Sequence, residues 1–315
     1  MFLIFRTQSF AHPLGDEEKT RLYDSMKRRN GAPLTIDVSL SEEVVTMPEL
    51  VNKIKQATIE EMKRLRKKSN NDSITLESVG IALPDGSEIR LSERRIRIGS
   101  GLKIRNDTTI FTNKEKTETN YEATTINTGY AKDSPSYEID HKLKRWSIWS
   151  VRRWSGRKVL RFGKVDEGIL MDIVRLCNPK WHAKLSKNKD FSYKGTGNVD
   201  GKVVDGIECI DPNGKVKYSI SLDTQDWRIC RKIVWYDNKS GLASKIVEYK
   251  QFAKAKGSGE LFPRLVIRRY FDKEGKEEKV ETINITDVVI GLPISDDVFK
   301  FDVPTDYTII DNRKK

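Results

Sequence analysis

The chain has 315 residues, 37% of them hydrophobic and 33% charged, and its 58 Lys and Arg outnumber 46 Asp and Glu for a formal net charge of +12. That is long enough for one large β domain or two ordinary ones and polar enough to leave each element a solvated face, and no run of about 18 apolar residues is present to span a bilayer. The positive balance favours acidic partners (nucleic acid, anionic lipid or an acidic protein surface) without choosing among them.

Met1 to Phe5 is too short for a signal-peptide core and Arg6 interrupts it. The chain is therefore expected to be cytoplasmic, or to have its targeting segment elsewhere. Asp16 to Arg29 has the spacing of a short helix, broken by Asn30-Gly31-Ala32-Pro33, and residues 1–40 are read as an N-terminal extension ahead of one domain over 41–315. Thr46 to Lys68 carries the strongest helical pattern: Thr46 as cap, Pro48 in the first turn, Glu49 at the capping-box position and a stripe through Val51, Ile54 and Met62.

From Ser73 the hydrophobic period becomes two. Ile74–Leu83, Glu88–Ile98 and Leu102–Phe111 read as strands, and Thr108–Thr128 as polar strands or a long loop. His141 to Lys164 holds nine Lys or Arg, no Asp or Glu, and Trp146, Trp149 and Trp154. That composition suits a strand pair burying its indoles under basic stems, an anionic surface, or base stacking with phosphate contacts; no nucleic-acid motif accompanies it, so nucleic acid is the least favoured partner. Gly168 to Val174 is a compact apolar helix signal, stopped by Pro179 and followed by Trp181, of the kind that plugs a curved sheet.

Hairpins then recur. Lys232–Asp237 and Ala243–Tyr249 flank Asn238-Lys239-Ser240-Gly241, and Arg264–Phe271 and Lys279–Val289 flank Asp272-Lys273-Glu274-Gly275. Phe299, Phe301 and Val303 alternate again near the end. Nothing assembles into a catalytic constellation. His12, His141 and His182 are scattered, Cys177 and His182 lack an orienting partner, and Gly195 to Gly201 misses the dinucleotide fingerprint by one position and reads as a turn. No metal or cofactor is expected. Cys177, Cys209 and Cys230 are too few for a disulfide framework; Cys209 and Cys230 pair only if their strands meet, and buried free thiols are the simpler expectation. Sequons start at Asn71, Asn106, Asn238 and Asn284.

Four stretches carry a resemblance: Gly201 to Cys209; Ile233 to Leu242 with Ser244-Lys245-Ile246; Ile283 to Val288; and Ile294 to Phe301 with Pro304 and Tyr307. Together they resemble the LolA-like family of periplasmic lipoprotein carriers and envelope-stress sensors, over residues 190–311. The resemblance implies a mainly β (α+β) fold: a strongly curved antiparallel sheet forming an unclosed half-barrel, with a long N-terminal helix and short helices over its concave face. It implies that the third and fourth stretches form the last strands. It also implies a non-enzymatic, periplasmic or extracytoplasmic protein that holds acyl chains of a lipid or lipidated protein in that face. Candidate contacts are Trp146, Trp149, Ile169, Leu170, Ile173, Trp181 and Trp235, with Arg97, Arg152 and Arg153 as lid or anion contacts. The family's Lys-Arg-Pro motif is absent; Ile96-Arg97-Ile98-Gly99 stands in the comparable place. The alternatives are an anti-sigma-type sensor domain working through protein contacts and, third, a basic nucleic-acid binder.

Overall fold

A computed structural model describes residues 12–18, 20, 35–69, 88–99, 103–111, 118–127, 136–141, 143–149, 191–211, 213–227, 229–300 and 302–311. Among them the strands are β1 (His12–Pro13), β2 (Ile36–Thr46), β3 (Glu88–Ile98), β4 (Lys103–Phe111), β5 (Glu118–Asn127), β6 (Ser136–Asp140), β7 (Arg145–Trp149) and β8 (Phe191–Val199). They continue as β9 (Lys202–Ile210), β10 (Val216–Asp223), β11 (Cys230–Tyr236), β12 (Ala243–Lys254), β13 (Lys256–Gly257), β14 (Leu261–Phe271), β15 (Glu277–Ile290) and β16 (Thr308–Asp311). The helix α1 (Pro48–Ser69) follows β2, and residues 16–18 and 20, at the start of the expected short helix, are also helical.

All sixteen strands join one sheet in the order β1-β8-β9-β10-β11-β12-β14-β15-β2-β3-β4-β5-β6-β7-β16, with β13 beside β15. Its neighbours are antiparallel except β13 on β15 and β16 on β7. The two end strands, β1 and β16, do not pair with each other, so the sheet is not closed into a barrel. Register shifts interrupt several ladders, among them β8–β9, β10–β11 and β15–β2; such bulges bend a strand and raise its local twist.

Turn chemistry sets four of the described connections. Between β11 and β12, Asp237 Oδ1 accepts from the backbone N–H of Lys239 and Ser240, and Gly241 takes the positive φ of 71°. Asp211 and Asp272 head the β9–β10 and β14–β15 turns in the same way. The glycine-rich run from Gly195 is strand over most of its length. The turn itself is Asp200-Gly201, with φ of 50° and 75°, the pair of positive angles that suits the twist of a two-residue hairpin.

The long-range pairing of β15 with β2, from Lys279↔Thr46 to Ile290↔Ile36, puts an N-terminal strand in the middle of the sheet. The expected boundary at residue 40 therefore falls inside β2, and His12–Pro13 also belongs to the sheet, against β8. Thr46 is the buried last residue of β2 rather than a helix cap. Met47 takes the capping place, its carbonyl accepting from Val51 N–H at 3.1 Å, and Glu49 pairs outward with Lys276 instead of closing a capping box. Residues 118–127, left open between strand and loop, form β5. The stretch expected to make the last strand contains instead a 3-10 turn, Asp296–Phe299, capped by Ser295. Its Phe299 ring packs closely against Gly99, where a Cβ would meet the ring, and the final strand comes later, as β16. The predicted strand over 74–83 and the apolar helix over 167–176 lie outside the described residues.

Two apolar clusters form on the sheet. The larger runs across β11, β12, β14, β15, β2, β3 and β4, and the smaller joins Leu14, Phe191, Ile207, Cys209, Leu222 and Trp227. Cys209 and Cys230 are free thiols. Strand β10 lies between them: Cys209 is opposite Tyr218, whereas Cys230 is opposite Leu222.

Candidate functional site

Strand alternation assigns each side chain to one of two faces. The inner face carries the larger cluster, and its floor is dry: Val38 and Val247 are 0% exposed, Ile96 and Ile283 1%. Five neighbouring strands thus present aliphatic side chains in register over this part of the face.

Toward the end of the sheet where β14 turns into β15, the same face becomes polar. Arg268 and Glu281 face each other with both side chains 1% exposed, Nη1 and Oε2 being 3.1 Å apart. Glu281 also accepts from Tyr270 Oη at 3.0 Å and pairs with Lys279 Nζ at 2.6 Å. One row further out, Tyr218, Trp235, Lys245, Tyr270, Lys279 and Thr46 stand directly opposite one another across six strands. Lys245 Nζ sits 5.2 Å from both the Trp235 and the Tyr270 ring centres, and Lys279 Nζ lies 4.4 Å from that of Tyr270. Ammonium groups over aromatic faces are attracted by the ring quadrupole. Burial, then Cys209 beside it, pushes the Tyr218 phenol above its ordinary value. A second enclosed pair, Arg94 with Glu42, lies on β3 and β2, where Ser92 Oγ also donates to Glu42.

The start of helix α1 is tied to β15 and the turn before it. Met47 N–H donates to the Glu278 carbonyl at 2.8 Å, Lys53 pairs with Glu278 at 2.6 Å, and Lys276 with Glu49 at 2.5 Å. Of its apolar stripe Val51 and Met62 are buried, but Ile54 is 48% exposed. No helix among the described residues is long and apolar enough to cross a membrane.

Of the residues singled out from the sequence, Trp235 lies on the inner face, half-buried against the large cluster. Trp146 is half-buried in β7, stacked on Tyr137 with ring centres 5.6 Å apart, and Trp149 ends the same strand. Arg97 alternates with Ile96 and Ile98 and so falls on the outer face, 3.3 Å from Asp107. Burial lowers the Arg97 guanidinium from its ordinary value, Asp107 opposing the shift. Beside it Arg95 grips Asp37 through both carboxylate oxygens, at 3.0 and 2.8 Å. Ile169, Leu170, Ile173, Trp181, Arg152 and Arg153 lie outside the described residues, as does the basic stretch beyond 149. Lys245, Tyr270, Lys279 and the two enclosed Arg–Glu pairs were not anticipated. Their signal was parity: Val266, Arg268 and Tyr270 share a face, as do Val247 and Lys245, but an arginine or lysine in an alternating strand reads by default as solvated.

The outer face also bears two shallow polar clefts. One of about 440 Å³ includes Ser39, Arg95, Asp107 and Thr286, and one of about 480 Å³ includes Lys194, Glu208, Lys215 and Tyr236.

No family model matches this chain, and no curated protein matches it. Among solved structures, it is similar to a domain described as outer membrane lipoprotein-sorting from Vibrio parahaemolyticus, at 15% identity and a TM-score of 0.45, over 88% of this chain and 94% of that one. A DUF1329 family protein from Desulfovibrio piger is similar at 11% identity and a TM-score of 0.44, over 90% and 96%. LprF from Mycobacterium bovis is similar at 12% identity and a TM-score of 0.27, over 94% and 100%.

Proposed function

We propose that the protein binds the acyl chain of a lipid or lipidated protein against the inner face of its sheet, without chemistry, in the periplasm or an equivalent extracytoplasmic space. One observation carries this reading: an open sheet carries one continuous apolar cluster on a single face across seven neighbouring strands. Exposed apolar area costs roughly 25 cal/mol per Å², so such a face needs a cover, and a lightly held cover can give way to an acyl chain. The Trp235 indole is a candidate contact; Trp146, in register with Ile139, Ala123, Asp107 and Arg95, lies on the outer face.

Native mass spectrometry with a diacylglyceryl-modified peptide tests the proposal. A one-to-one adduct supports it, and no adduct at high micromolar peptide overturns it.

A further inference from the structure

The row Trp235–Lys245–Tyr270–Lys279 sits where the inner face passes from aliphatic to polar, and of its members the function proposed above uses only Trp235. Its members are fixed by register on four adjacent strands, so their spacing does not depend on a loop. Immediately inward lies the row Ile220, Ile233, Val247, Arg268 and Glu281, and beyond that the aliphatic floor. Together the two rows contain three cations, Lys245, Lys279 and Arg268, and one carboxylate, Glu281. The lysines are half-exposed at the rim, whereas Arg268 and Glu281 are enclosed at 1%. A chain lying on the aliphatic floor would therefore end beside two ammonium groups and two aromatic rings.

We infer that this rim is the headgroup site for an anionic amphiphile. The bound molecule carries a carboxylate or phosphate at one end of an acyl chain, and Lys245 and Lys279 select it over a neutral lipid of the same length. The assignment rests on the acyl-chain reading and narrows it. Hydrogen bonds from cations to anionic oxygens are the stronger kind, and at a low-dielectric boundary they are less screened than in water. Trp235 and Tyr270 hold the ammonium groups at the rim through cation–π contact while presenting apolar edges to the first methylenes. A fatty acid and a phosphatidic acid share this chemistry, and the experiment separates them.

Binding of oleate, dioleoyl phosphatidate and the neutral monoolein, each below its aggregation threshold, is measured by tryptophan fluorescence and native mass spectrometry, with acetate and inorganic phosphate as chainless controls. The expected result is a preference of about tenfold or more for an anionic probe over monoolein, the ratio reported by a single well-placed charge interaction. Lys245→Gln with Lys279→Gln removes the preference and leaves monoolein binding in place, whereas Lys245→Arg with Lys279→Arg keeps it. Whichever of oleate and phosphatidate binds tighter identifies the headgroup. Equal binding of anionic and neutral probes overturns this inference and leaves the acyl-chain reading standing. A preference that survives the glutamine pair overturns the assignment to these lysines. Binding of no chain-bearing probe overturns both readings. Should the glutamine pair unfold the protein, as circular dichroism would reveal, each single glutamine variant is read in its place.

Discussion

Arg94 Nη2 lies 2.7 Å from Glu42 Oε2 on the inner face, with the two side chains 3% and 2% exposed. The pair joins β3 to β2, the strand that β15 recruits from the far end of the sequence. An enclosed ion pair returns little net stability, because desolvation offsets attraction, but removing one partner strands the other.

Replacing one partner should therefore be worse than replacing both. Arg94→Met is expected to lower unfolding stability by about 3–5 kcal/mol, and Glu42→Leu added to it should recover most of that loss. Urea unfolding of the two single variants and the double variant checks it. Additive losses would show that the pair is not a unit.

Two glycines close together in sequence should respond differently to alanine. Gly257 has φ of 85° in β13, and a Cβ there would collide with the Ile290 carbonyl oxygen; Gly259 has φ of 70° with nothing within 4 Å. Gly259→Ala carries the backbone term alone, about 1 kcal/mol, while Gly257→Ala adds the displacement of β15 backbone and is expected to lose roughly 2–3 kcal/mol or more. Thermal unfolding of both variants measures the difference.

Acid stability should depend on the turn aspartates. Backbone N–H groups of Lys215, Ser240 and Lys276 hold the carboxyls of Asp211, Asp237 and Asp272 below their ordinary value of 3.8. A depressed folded-state pKa stabilises the fold at pH above the unfolded value, and that contribution is lost as pH falls through the folded one. Stability should thus be flat near neutrality and decline below about pH 4, the ordinary aspartate range. Asp237→Asn should make the decline shallower. Unfolding midpoints between pH 2 and pH 7 provide the comparison, and an unchanged slope would contradict the assignment.

Helix α1 should open before the sheet does. Of the ion pairs near its start, Lys276–Glu49 is well exposed and Lys53–Glu278 is exposed on the lysine side only, each worth about 0–1 kcal/mol, and Val51 and Met62 are its enclosed apolar residues. Amide exchange over Pro48–Ser69 is expected to be orders of magnitude faster than at Val247, Ile283 and Val288, whose amides report global unfolding. Equal protection would mean that α1 is part of the rigid body and not a removable cover.

The sequence by itself determined the local grammar of this protein. Asn238–Gly241 and Asp272–Gly275 marked two hairpin turns, period-two alternation marked Glu88–Ile98 to the residue, and Pro48 marked the start of α1. The signals that misled were local as well: Thr46 has cap chemistry but is drawn into β2, and Phe299 alternates with Phe301 but belongs to a 3-10 turn. Only the tertiary structure decided that β2 lies between β15 and β3, that Arg97 faces outward while Arg94 and Arg268 face inward, and that Trp235, Lys245, Tyr270 and Lys279 form one row. The physical reason is that alternation divides a strand into two faces, whereas the identity of each face and the partner across it are set by non-local register, in which a shift of one residue would exchange every side chain.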